Sequence, residues 1–110
     1  RCPDPSTNPY LAFAMMLNAG LDGVKNKLKA PFSVDEDIFE MTAAQMDEKG
    51  ITVLPGSLME ALEEFKANPL SKETLGEHIF TKYIEGKEKE WDDYRCSVTG
   101  WELDNYLSIY

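Results

Sequence analysis

The strongest constraint on this chain lies in its first 28 residues, RCPDPSTNPYLAFAMMLNAGLDGVKNKL, where closely spaced prolines lead into one long amphipathic segment. Pro3 and Pro5 fix their own φ and push Cys2 and Asp4 toward extended geometry, so Arg1 to Pro5 is expected to form a stiff strap. Asn8 reads as an N-cap with Pro9 at the first helical position, where a missing N–H costs nothing. Beyond it Tyr10, Ala14, Leu17, Leu21, Val24 and Leu28 recur at alternating steps of four and three, one stripe of a helix that Phe13 and Met16 widen. Gly20 and Gly23 would each cost about 1 kcal/mol against alanine, which predicts that another segment approaches closely there. Lys25, Lys27 and Lys29 suit the negative end of the helix dipole, and the helix is expected to stop before Pro31.

A length of 110 residues fits one domain or a piece of one, with room for a modest core. The hydrophobic fraction of 43% and charged fraction of 28% are those of a soluble globular protein, and no apolar run approaches the roughly 20 residues that span a bilayer, so no membrane role is expected. Eleven basic residues against twenty acidic ones give a formal charge of -9, which repels phosphate backbones, so nucleic acid is not an expected partner. Cys2 and Cys96 are far apart and unpatterned, which favours free thiols and a cytoplasmic location over a disulfide. The opening Arg-Cys-Pro-Asp-Pro has no initiator methionine and no apolar leader, and reads as the start of a piece taken from a longer chain.

Residues 30–41, with Pro31, Ser33 and the acids Asp35, Glu36 and Asp37, predict an irregular crossing pinned to the core by Ile38, Phe39 and Met41. Thr42 with Gln45 makes a capping box for a short helix, Ala43 to Lys49, stopped by Gly50. Ile51 to Leu54 is β-prone but short and meets Pro55, so it reads as an extended connector. Ser57 with Glu60 makes a second capping box, for a helix to about Ala67 bearing Leu58, Ala61, Leu62 and Phe65 on one face, closed by Asn68-Pro69. Ser71 is expected to cap a short turn, Lys72 to Leu75, before Gly76. Phe80, Tyr83, Ile84, Trp91, Tyr94 and Val98 predict a long helix from Glu77, with Glu85 and Lys89 paired on its outer face. Thr99 with Glu102 opens a last short helix carrying Trp101, Leu103, Tyr106, Leu107 and Tyr110. The fold class is all-α, five to six helices with irregular connectors.

Several of these stretches carry a family likeness. Arg1-Cys2-Pro3-Asp4-Pro5, Asn8-Pro9-Tyr10-Leu11-Ala12-Phe13-Ala14, Gly20-Leu21-Asp22-Gly23, Leu54-Pro55-Gly56-Ser57-Leu58 with Glu60-Ala61-Leu62, Leu75-Gly76, and Trp101-Glu102 with Tyr106 follow one another across the whole chain. In this order the chain resembles the C-terminal part of the catalytic domain of type I bacterial glutamine synthetase. The resemblance implies that residues 1–110 are the helical portion of that domain, with 98–110 its tail helix. It further implies a parent ligase that forms glutamine from glutamate and ammonia through γ-glutamyl phosphate, using ATP and Mg²⁺ (or Mn²⁺), in the cytoplasm, as a homo-oligomer of two hexameric rings. Phe39 stands where the adenylylated subtype has a tyrosine, so the resemblance is to the feedback-inhibited subtype, in which nitrogen-regulator proteins are possible partners.

Arg1 is the first candidate site residue, both catalytic and substrate-binding by resemblance: the matching arginine contacts glutamate and the transferring phosphoryl group, a task suited to a planar, permanently charged fork. The plain alternative is an exposed terminal arginine. The family's metal ligands and nucleotide site fall outside this sequence, so no metal residue is assigned and the chain alone is expected to be inactive. His78 has no Cys or His at ligand spacing, and the acids at 35–37 lack the pattern of a calcium loop. Trp101, Leu103, Tyr106 and Tyr110 are the second candidate, oligomer contacts of a tail too short to bury its own apolar surface. The competing readings are an acidic helical interaction module that binds through this tail, and a related amide ligase acting on another amine.

Overall fold

A computed structural model describes residues 3–107 and 109. The chain divides into two compact units, Arg1–Gly56 and Ser57–Tyr110. Among the described residues the regular structure is helical, as expected, with five α-helices and one 3-10 turn.

In the first unit the proline-rich lead does not run straight. Thr7 N–H donates to the Asp4 carbonyl at 3.0 Å, closing a β-turn with Pro5 at the position that favours a fixed φ. Helix α1, Pro9–Lys25, then starts as predicted, with Asn8 Oδ1 accepting from the N–H groups of Tyr10 and Leu11 at 3.0 and 3.3 Å. It ends earlier than Pro31 requires. Lys27 takes φ 51°, while Leu28 N–H donates to Gly23 O at 3.0 Å and Lys27 N–H to Val24 O at 3.2 Å. These are the two bonds of a Schellman stop, and they put Leu28 beyond the helix.

The apolar stripe of α1 is not a core face in this unit. Tyr10, Phe13, Leu17 and Val24 are 84%, 68%, 67% and 77% exposed; of the stripe Ala14 is half-buried, together with Leu11, Met15 and Asn18 on its flank. A Cβ built at Gly20 or Gly23 meets nothing within 4 Å, so the close approach expected there does not occur among the described residues. The crossing that follows includes the 3-10 turn Ile38–Glu40, whose Phe39 is 94% exposed and anchors no core. Helix α2, Ala43–Glu48, has the predicted Thr42–Gln45 capping box and stops at Gly50, φ 65°.

The second unit opens with α3, Leu58–Ala67, where Glu60 N–H donates to Ser57 Oγ at 3.2 Å. Asn68 closes α3 as expected, its N–H donating to Glu64 O at 3.1 Å, and also begins the next helix: its Oδ1 accepts from Leu70 N–H at 3.0 Å and Pro69 occupies the first turn of α4, Pro69–Arg95. Ser71, expected as a cap, instead lies inside α4 and is buried. Gly76, φ 72° and ψ 160°, breaks α4 into two arms. Phe65 of α3 meets Phe80 and Tyr83 of the later arm at ring distances of 5.4 and 5.3 Å beside buried Leu62, and Lys66 bridges Glu63 and Glu88 at 2.9 and 2.7 Å. On the outer face Glu85 pairs with Lys82 at 2.6 Å rather than with Lys89. Helix α5, Gly100–Tyr106, completes the unit.

Candidate functional site

Two places carry the candidate residues. Arg1 lies outside the described residues, as does Tyr110. The turn that follows Arg1 is held by Asp4, whose Oδ1 accepts from Ser6 N–H at 2.8 Å and from Ser6 Oγ. The Ser6 hydroxyl, and next the Ser6 N–H, hold the Asp4 carboxyl below its ordinary range, because both donate to the charged form. A proline at each side of Asp4 limits the backbone further, so the segment leading into α1 has one turn geometry rather than many.

The aromatic tail is built on a capping box. Thr99 N–H donates to Glu102 Oε2 at 2.7 Å, and Glu102 N–H donates back to Thr99 Oγ1 at 3.3 Å, which starts α5 at a fixed point after α4. The Thr99 N–H, then its hydroxyl, lower the Glu102 carboxyl. Trp101 and Tyr106 meet edge to face with ring centroids 5.6 Å apart, and Asn105 Nδ2 donates to Trp101 O at 2.8 Å. Trp101, Leu103 and Tyr106 are 63%, 47% and 52% exposed, so the pairing leaves much of each side chain available. Such a surface suits burial against protein, since aromatics carry large apolar area with few rotors to fix. Tyr94 and Val98, read from sequence as part of the apolar pattern of the long helix, are 63% and 70% exposed, with Val98 beyond the end of α4, and extend the apolar character of this end. Their place directly before the Thr99 cap was the available signal.

No group of three or more His, Cys, Asp or Glu side chains that could hold a metal occurs among the described residues. The acids at 35–37 are engaged locally: Glu36 with Lys49, Asp37 Oδ1 with Phe39 N–H at 3.0 Å, and Asp35 with Ser33 Oγ at 3.5 Å. A groove of about 660 Å³ runs between residues 31–36 and 48–51, with Asp35, Glu36 and Glu48 partly offset by Lys49 and apolar Phe32, Val34 and Ile51 at its sides. His78 is exposed, as is the Cys96 thiol; Cys2 lies outside the described residues. No helix among the described residues is long and apolar enough to cross a membrane.

Comparison with known proteins gives this arrangement its context. Residues 1–106 match the model of the glutamine synthetase catalytic domain. The chain is 53% identical over its whole length to a glutamine synthetase of Clostridium saccharobutylicum, covering 25% of that protein. It is 51% identical over 109 residues to one of Thermotoga maritima, and 48% identical over 110 residues to one of Thermus thermophilus, again covering 25% of each. The chain thus spans about a quarter of the length of the curated relatives it matches. With a family match running from the proline strap through the aromatic helix, the chain belongs to the glutamine synthetase catalytic-domain family.

Proposed function

We propose that this chain is the C-terminal helical portion of the catalytic domain of a glutamate–ammonia ligase, and that its task is to hold Arg1 at a pocket formed by other sequence. The observation that carries the proposal is the family match over residues 1–106, which includes that arginine. In the reaction of such an enzyme a γ-carboxylate oxygen of glutamate attacks the terminal phosphorus of ATP and ADP leaves. Ammonia then adds to the acyl carbon of γ-glutamyl phosphate, inorganic phosphate departs and a proton is lost.

Phosphoryl transfer of this kind depends mostly on positioning and charge neutralisation. A guanidinium can do both, since its fork pairs with two oxygens and its charge persists at every working pH. In this reading ATP and a divalent metal are held by other sequence. Arg1→Ala in a full-length enzyme carrying this sequence is expected to abolish most biosynthetic activity with subunit assembly unchanged. Full steady-state activity in that variant would refute the assignment.

The exposed aromatic surface of α5 supports a second task, docking on another subunit of a double-ring homo-oligomer. Burying Trp101 and Tyr106 at roughly 150–250 Å² each, at about 25 cal/mol per Å² of apolar area, is enough to matter for assembly. The same surface would serve a nitrogen-regulator protein, or the binding role of a free-standing helical module. Phe39 has no hydroxyl to modify, which supports the feedback-inhibited subtype, and its 94% exposure puts it where a modifying enzyme would reach a tyrosine. The acidic charge and unpatterned cysteines suit a cytoplasmic enzyme. An amide ligase for another amine shares all these features, and assay with ammonia against primary amines separates the two.

A further inference from the structure

We infer that Gly76 is an obligatory corner of the second unit, a position that accepts an achiral or D-residue but no L-residue, and that the α3–α4 packing depends on it. Geometry alone carries this, independently of the function proposed above. Gly76 sits at φ 72° and ψ 160°, between the two arms of α4. This combination is not the left-handed helical well that asparagine also visits; it belongs to the region that is essentially reserved for glycine.

The corner is required by reach. Lys66, near the end of α3, pairs with Glu88 at 2.7 Å. Were Pro69–Arg95 one unbroken helix, Glu88 would lie about 28 Å beyond Pro69 at 1.5 Å per residue, while Lys66 precedes Pro69 by only three residues. Extended lysine and glutamate side chains together bridge roughly 11 Å between backbones. The ion pair therefore exists only because the chain changes direction at Gly76. The same reversal brings Phe80 and Tyr83 onto Phe65, and it fixes the line along which the later arm delivers Thr99 and the aromatic helix.

Sterics add a clean test. A Cβ built at Gly76 meets nothing within 4 Å, so a methyl group there would be penalised by backbone conformation and by nothing else. An L-alanine must adopt a forbidden region or straighten the helix, whereas D-alanine finds these angles in the mirror image of an ordinary extended conformation.

The experiment compares the full 110-residue chain with two Gly76→Ala variants, one carrying L-alanine and the other, made by semisynthesis, carrying D-alanine. Thermal midpoint is read first, then the distance between nitroxide labels at positions 64 and 89 in the same three proteins. The L-alanine variant is expected to lower the midpoint by roughly 5–20 °C. Its label distance should lengthen toward the minimum of about 24 Å set by an unbroken helix, unless the corner persists under strain. The D-alanine variant is expected to keep both the midpoint and the short distance of the glycine protein. An L-alanine protein equal to glycine in both measurements would overturn the inference, as would a D-alanine protein that falls as far as the L-form.

Discussion

The two units use the same amphipathic vocabulary and obtain different results from it. In the second, α3 and the later arm of α4 face each other, Leu62 is buried, and Phe65 stacks on two rings. In the first, α1 is longer than α3 and more apolar, yet it contains no buried residue and directs Tyr10, Phe13, Leu17 and Val24 to solvent. An amphipathic stripe becomes a core only where an apposing apolar surface is present, and α3 finds one a few residues along the same chain. We propose that the α1 stripe packs on sequence of the kind that makes up the other three quarters of its relatives' length. On that proposal the first unit is one half of an interface, while the second already holds its own packing.

The difference between the units is most exposed to attack at Leu62. Leu62→Ala should destabilise the second unit by about 2–5 kcal/mol, through lost transfer energy and the cavity left behind. Leu17→Ala, at 67% exposure, should change the stability of this chain by no more than about 0.5 kcal/mol. Denaturant melts of the two variants measure both, and equal losses would erase the distinction.

Smaller effects are expected at the helix ends of each unit. Thr99→Ala removes one side of the α5 capping box and should cost about 1 kcal/mol, seen as fraying in amide exchange of Trp101 and Glu102. Lys27→Gly relieves a left-handed L-residue at the end of α1 and should stabilise the first unit by up to about 1 kcal/mol in a urea titration. The smallest effect is electrostatic. The Glu102 carboxyl is lowered from 4.5 by Thr99, so its contribution is complete above about pH 4.5 and is lost as pH falls through the depressed value. A pH titration of α5 helicity should therefore show a decline on the acid side that Glu102→Gln removes.

Much of the fold could be read from capping chemistry. Asn8, Thr42, Ser57 and Thr99 each start a helix where their side chains predict. Asn68-Pro69 reads as a terminator because it follows an apolar helix face, yet it repeats the grammar of Asn8-Pro9, an asparagine cap with proline at the first helical position. The expectation for Ser71 fails for the same reason: with the helix starting two residues earlier, its hydroxyl falls inside α4. The end of α1 is hidden because Lys27 occupies a position usually filled by glycine, and no local residue type announces it. Glu85 pairs with Lys82 although the Glu-to-Lys four-residue spacing favours Lys89, a difference of a few tenths of a kcal/mol that does not decide a surface pairing.

The candidate sites divide along similar lines. The exposure of Trp101, Leu103 and Tyr106 was legible because three aromatic and aliphatic residues on a seven-residue helix have no room to bury one another. Phe39 was legible as a position but not as an environment: an aromatic in an apolar run reads as an anchor, and the 3-10 turn held by Asp37 points it outward. Arg1 drew its significance from the motif around it, since one arginine specifies no chemistry by itself.

If the α1 stripe is one half of an interface, other sequence of the same enzyme covers it. Leu17→Cys, introduced into a background whose other cysteines are replaced, reports on that directly through the rate of maleimide labelling in this chain and in a full-length glutamine synthetase carrying it. Rapid labelling of the chain alone is expected, with at least about a hundredfold slowing in the assembled enzyme, since opening a packed interface must precede reaction. Equal rates in the two proteins would mean that nothing covers the stripe.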